Sequence, residues 1–187
     1  QLILDNETVE GPSFQPVLSS GTSSWTFHSR YTDRKLRKND CLIIDMGVRY
    51  RGYCSDMTRT VFLGKPTRQM REVYSIVQEA QLRAIDAIRA GVMGGDVADA
   101  AWGYIASKGY EQTHGLGHGL GLETHDYPLP GLSAVNKQRL QENMVLTVEP
   151  GIYLKNGFGV RIEDTVIVTR NGCKNMMRTP KELRIVG

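Results

Sequence analysis

Apolar and polar positions change their rhythm several times along the chain, and each change marks a predicted element. Residues 1–40 mix Ser, Thr, Gly and Pro with short apolar pieces such as Phe14 to Leu18, which predicts strand and loop without a helix. From Cys41 to Leu63 the text becomes CLIID, then GVRYRGY, then TRTVFL: two strand-like runs around turn material, read as a hairpin. Thr67 can cap a helix that runs to about Gly91, with Met70, Val73, Val77, Ala80, Ala84, Ile85 and Ile88 along one stripe at helical spacing. A second helix is predicted from Asp96 to Gly109, burying Val97, Ala100, Ala101, Tyr104 and Ile105. Strand text dominates the remainder, in residues 144–150 and 159–169, with a hairpin turn expected at Asn171-Gly172. Strands and helices fall in blocks instead of alternating, so the predicted class is α+β, a single domain over residues 1–187.

Composition narrows the function classes. With 40% hydrophobic and 23% charged residues, the chain has the balance of a globular protein. A net charge of +3 without a basic stripe argues against nucleic acid as partner. No apolar run approaches the ~20 residues that cross a bilayer, so no membrane is expected. Cys41, Cys54 and Cys173 are odd in number and not in CxxC spacing, which favours a reducing compartment and a cytoplasmic location.

The chemistry lies in acids placed where acids are costly. If the hairpin turns between Tyr50 and Arg51, Asp45 and Asp56 face each other, with Cβ atoms about 5 Å apart. Like charges in a buried ribbon need a cation; Arg49, Arg51 or Arg59 could supply it, or the register could differ. Glu149 closes the apolar run VLTVE and Glu163 stands inside GVRIEDTVIV, where Arg161 is a candidate partner. Four interior carboxylates and one histidine make an oxygen-rich set able to hold two divalent ions, suited to Mn, Co or Zn.

That histidine comes from HGLGHGLGLETHD, residues 114–126. Its glycines would each cost a helix up to ~1 kcal/mol, so an extended strand is expected, with His114 and His118 on one face and the glycines admitting close approach of backbone or substrate. His118 is assigned to a metal; His114 and His125 are assigned to substrate or proton handling.

Taken together, DMGVRYRGYCSDMTRT, HGLGHGLGLETHD, TVEPGIY and GVRIEDTV resemble the pita-bread metallopeptidases, the family of methionine aminopeptidase, Xaa-Pro aminopeptidase and Xaa-Pro dipeptidase, and within it the proline-specific branch. The resemblance implies a pseudo-twofold α+β domain whose curved, mostly antiparallel sheet carries helices on its outer face and cradles two divalent ions, manganese first, cobalt or zinc otherwise. It also implies that Asp56 and Glu163 bridge the ions, that Asp45 chelates one, and that His118 and Glu149 complete the other. Glu149 would in addition relay a proton, His28, His114 and His125 would face the substrate, and Arg161 and Tyr153 would support the site. The implied activity is hydrolysis of the first peptide bond of a substrate with proline in second place; a homodimer is admitted. The alternatives are a pita-bread module that binds without catalysis, a metal-free creatinase-like hydrolase, or methionine aminopeptidase specificity. One departure stands out: the helix pair that usually precedes the first strand, and a separate N-terminal domain, are not visible in the sequence, which leaves open a fragment, a trimmed chain or a divergent short member.

Overall fold

The computed structural model describes residues 8–27, 32–128 and 131–187. The first half consists of strands Gly11–Pro12 (β1), Val17–Ser20 (β2), Cys41–Met46 (β3), Val48–Tyr50 (β4), Tyr53–Cys54 (β5) and Met57–Leu63 (β6). β3 and β6 are the arms of the expected hairpin, and β4 and β5 carry them to the turn. The reversal uses Arg51 and Gly52, with φ of 50° and 80°, the paired positive values that match the twist of a two-residue hairpin. It is therefore centred one residue later than expected, and Asp45 lies opposite Thr58 instead of Asp56. The decisive cue was Gly52, which tolerates the second positive φ. Because the slip is by two positions, side chains keep their faces, and Asp45 and Asp56 still look to the same side.

Two helices follow, Arg68–Ala87 (α1) and Gly94–Ser107 (α2). Thr67 caps α1 as expected, its hydroxyl accepting the Met70 N–H at 3.2 Å. α1 stops at Ala87, short of Gly91, because Ile88 turns extended; it still buries Val73, Val77, Ala80 and Ala84. α2 begins two residues before Asp96 and buries Ala98 and Trp102 together with Val97, Ala101 and Ile105. α1 packs on α2 and on strands of the second half.

Those strands are Val145–Val148 (β7), Gly151–Tyr153 (β8), Gly159–Arg161 (β9), Asp164–Thr169 (β10), Gly172–Asn175 (β11) and Arg184–Val186 (β12). β7, β10 and β11 form one antiparallel sheet and β8 pairs with β9. β12 returns to β6 in parallel, completing a four-stranded sheet in the order β12-β6-β3-β2. The turn between β10 and β11 falls on Arg170 and Asn171, one residue before the expected pair, because Gly172 already pairs with Thr169. β9 crosses against β3 and β6 and thereby joins the halves. No helix among the described residues is long and apolar enough to cross a membrane.

The glycine-rich segment forms isolated bridges instead of a continuous strand. It runs beside β7 through Thr147 N–H to His118 C=O and Glu149 N–H to Leu116 C=O, both 2.8 Å. Its glycines admit neighbouring backbone, not substrate: a Cβ on Gly117 would run into the carbonyl of Thr147, and one on Gly119 into the carbonyl of Asp126. Gly117→Ala should therefore cost about 1–3 kcal/mol through overpacking. Gly103→Ala, in open space on α2, should instead gain up to about 1 kcal/mol. Denaturant unfolding of the two variants checks this, and equal effects would contradict the packing argument.

Candidate metal centre

Five of the site's side chains are delivered at or near the ends of strands. Asp45 lies in β3 and Asp56 immediately precedes β6; Glu149 follows β7, Arg161 ends β9 and Glu163 immediately precedes β10. With His118 they line one cavity of about 340 Å³, within the size range of small-molecule sites. Phe14, Val17 and Phe27 form an apolar part of its wall. One atom each from Asp56, His118 and Glu163 lie within 4.8 Å of one another. His118 Nε2 is 3.6 Å from Asp56 Oδ2 and 3.5 Å from Glu149 Oε1. Its Nδ1 lies 2.9 Å from the Gly119 carbonyl, which can only accept, so Nδ1 carries the hydrogen and Nε2 turns a lone pair toward the acids.

Among the described residues one cation serves this set. Arg161 is 3% exposed and donates from Nη2 to Asp45 Oδ2 at 2.5 Å, from Nε to Thr58 Oγ1 at 3.2 Å and from Nη1 to Tyr153 Oη at 2.8 Å. Thr58 Oγ1 in turn donates to Glu163 Oε2 at 2.7 Å. Asp45 Oδ1 and Asp56 Oδ1 are buried with no hydrogen-bond partner. Three of the acids respond by holding protons. Burial, and then Glu163, Asp45 and Glu149, push Asp56 up to about 10. Burial and Asp45 push Glu163 up to about 7, and burial with Glu163 raises Glu149 well above the carboxylate range. Burial also lowers His118 to about 4, leaving it neutral.

Asp164, the neighbour of Glu163 on the opposite side of the strand, shows what a satisfied buried acid looks like here. Burial opposes its ionisation, but Lys181 at 2.7 Å, Asn175 at 2.7 Å and Arg59 at 2.7 Å outweigh it and hold the carboxyl below its usual range. Among the described residues the cavity acids have less: Asp45 takes Arg161 and Glu163 the Thr58 hydroxyl, while Asp56 is bonded by neither a cation nor an amide. Unpartnered carboxylate oxygens, a neutral imidazole lone pair and an oxygen-rich donor set together fit hard or borderline divalent cations.

The remaining expected residues sort differently. His125 is exposed, with its ring 4.1 Å from that of His118, and lines the cavity. His114 does not share that wall. It stacks on Phe27 with centroids 4.3 Å apart and meets Tyr153 Oη at 3.2 Å, so it stands behind Arg161, because the segment bends between bridges and does not continue as a flat strand. His28 lies outside the described residues. None of Arg49, Arg51 and Arg59 neutralises Asp45 or Asp56: Arg49 approaches Glu123 at 3.9 Å, Arg51 sits over the Tyr50 ring, and Arg59 is committed to Asp164. Thr58 was not anticipated, though it stands two residues beyond Asp56 and so shares its face; the apolar wall had no sequence signal beyond its Phe and Val content.

The profile of metallopeptidase family M24 matches residues 1–170. The chain belongs to that family. It is 40% identical over 176 residues to an Xaa-Pro dipeptidase of Pyrococcus horikoshii, covering 93% of this chain and 50% of that protein. It superposes on a recombinant prolidase from Thermococcus sibiricus with a TM-score of 0.95 at 40% identity, covering 99% of this chain and 50% of that one. The X-Pro aminopeptidase of Thermotoga maritima gives a TM-score of 0.91 at 41% identity, covering 95% and 50%. The M24 chain thus spans about half the length of the relatives it matches. It has the pita-bread α+β fold of these neighbours, and family membership implies divalent metal.

For the metal-free M24 chain the proton balance sets a pH dependence. Folded Asp56 and Glu163 keep protons that the unfolded chain releases near pH 4, so the unfolded state binds fewer protons and stability falls as pH rises, through about 7 for Glu163 and about 10 for Asp56. His118 has the opposite sign, but its contribution ends near its unperturbed value of 6.5. Between pH 7 and 9, melting of the metal-free chain should therefore lose about 1.4 kcal/mol per pH unit for each retained proton. Saturating Mn²⁺ should flatten the slope; a metal-free melting temperature constant over that range would contradict the proton assignment.

Proposed function

We propose that this chain provides the catalytic site of an Xaa-Pro peptidase that hydrolyses the first peptide bond of substrates with proline in second place. The observation carrying this reading is the cavity's imbalance, four carboxylates around one guanidinium with two buried oxygens unpartnered. The names of the similar proteins, Xaa-Pro dipeptidase, prolidase and X-Pro aminopeptidase, support the substrate class.

In this reading two divalent ions, manganese first, would be held by Asp45, Asp56, His118, Glu149 and Glu163, both depending on Asp56 and on Glu163. Bound there, they would supply an activated water at neutral pH and electrophilic assistance to the scissile carbonyl. Everything else falls to the chain. Glu149, whose raised proton affinity follows from burial and Glu163, accepts the proton of the attacking water and passes it to the leaving nitrogen. His125, on the rim beside His118, donates a hydrogen bond to the developing oxyanion, with His28 assigned to the same task. Phe14, Val17 and Phe27 give the compact proline ring an apolar wall and exclude water from that side. Arg161 holds Asp45 in place, while His114 acts through Tyr153 and Arg161.

Two measurements test this. Asp56→Ala and Glu163→Ala should each abolish binding of both ions, whereas His114→Ala should keep metal content near normal and lower turnover; two-metal occupancy in Asp56→Ala would refute the sharing assignment. Hydrolysis of Ala-Pro against Ala-Pro-Ala with added Mn²⁺ should show cleavage before proline, with Met-Ala spared, and the length preference separates dipeptidase from aminopeptidase. No metal uptake by the chain would favour a binding module instead.

A further inference from the structure

We infer that Arg59, Asp164 and Lys181 form a buried clamp on the far side of the sheets that sets the spacing between the two halves of the metal centre. Asp45 and Asp56 belong to the β12-β6-β3-β2 half and Glu163 to the β10 side, and these are separate sheets. What stitches them is backbone directly beneath the acids. Arg59 Nη1 donates to both Thr58 C=O at 2.8 Å and Glu163 C=O at 2.5 Å. Thr58 C=O also accepts the Glu163 N–H at 3.1 Å, and Thr165 Oγ1 donates to Asp56 C=O at 2.9 Å. The remaining Arg59 hydrogens go to Asp164 Oδ1 at 2.7 Å, Thr179 C=O at 2.8 Å and Pro180 C=O at 3.2 Å, so the guanidinium has one orientation in which every donor is used.

Asp164 fixes that orientation, and Lys181 neutralises what Arg59 does not. Asp164 is fully buried. Lys181 Nζ bonds its Oδ2 at 2.7 Å and the buried Gln81 Oε1 of α1 at 2.8 Å. The strap that carries Lys181 is itself held by α1, Tyr74 Oη and Gln78 Nε2 donating to the Lys181 carbonyl at 3.0 and 2.7 Å. It lies beyond residue 170, where the family match ends. A buried ionic network is an expensive way to glue two sheets, since apolar residues of the same volume often do so at lower cost. Its advantage is directional: strand alternation puts Glu163 in the cavity and Asp164 in the clamp, so fixing one carboxylate fixes the backbone of the other. Metal ligation tolerates displacements of only about 0.2 Å, which makes such fixing consequential. Arg59, Asp164 and Lys181 are thus positioning residues for the ions.

The inference rests on the reading that the cavity acids hold divalent metal, and calorimetric titration of the chain with Mn²⁺ separates the two. Lys181→Met should raise the Kd for Mn²⁺ about 10-fold, the low end of the effect of losing a group bonded to a ligand itself, because Lys181 acts through Asp164. Lys181→Arg should restore most of the affinity. Ile105→Ala, a core truncation under α2, serves as the control: it should lower the melting temperature while leaving the Kd unchanged. Should Lys181→Met fail to fold, Asp164→Asn, which preserves shape, takes its place with the same expected weakening. Parent-like Mn²⁺ affinity in a folded Lys181→Met or Asp164→Asn chain would overturn the clamp; absence of Mn²⁺ binding by the parent chain would instead overturn the metal reading beneath it.

Discussion

Four carboxylates sharing one guanidinium cannot all be ionised in a protein interior. At an effective dielectric near 20, two like charges about 4 Å apart repel by about 4 kcal/mol, equivalent to about three units of pKa. Asp56 rises from 3.8 to about 10, more than any one neighbour would produce, and burial is its largest cause with Glu163, Asp45 and Glu149 adding to it. Protons or metal cations are the two ways to remove this strain. Protons leave Asp45 Oδ1 and Asp56 Oδ1 without partners, whereas a divalent ion would satisfy several oxygens at once, and that difference favours a metal site over a cluster of neutral acids.

Arg161 has a narrower task than neutralisation. It takes one oxygen of Asp45, one hydroxyl of Thr58 and the Tyr153 phenol, and every one of these contacts fixes direction. A lysine would offer a point charge without the fork geometry, and could not hold β3, β6 and β8 groups at set angles. The Tyr153 and His114 rings behind it extend the same chain: His114 Nδ1 meets the Gly115 carbonyl at 2.6 Å and so carries the hydrogen, and its Nε2 accepts from Tyr153.

How much of this was legible in the sequence depended on whether the signal was local. Acids inside apolar strands are visible residue by residue, and strand parity carried Asp45 and Asp56 to one face even though the turn was misplaced by a residue; Gly52, not Arg51, is the second turn position. The helical stripes were legible for the same reason, with their ends displaced and, on α2, Ala98 and Trp102 buried where Ala100 and Tyr104 were expected. What parity could not supply was any relation across sheets. The path of the glycine-rich segment depends on Thr147 and Asp126 backbone meeting Gly117 and Gly119, and so His114 parted from His118 without a sign in the local text. Arg59 likewise read as one more cation near the aspartates, because nothing in SDMTRT tells which side of β6 meets Asp164.

The contrast between Glu163 and Asp164 ties these points together. Adjacent in sequence and both buried, they differ in everything that matters chemically: Asp164 receives two cations and an amide and is held ionised, while Glu163 receives a threonine hydroxyl and is pushed up to about 7. Since the alternation of a strand places them on opposite faces, the fold can saturate one without touching the other. An acid left undersupplied beside one fully supplied is not a failure of packing, because the same strand shows that partners were available. The deficit is confined to the cavity face, where incoming divalent ions would complete it.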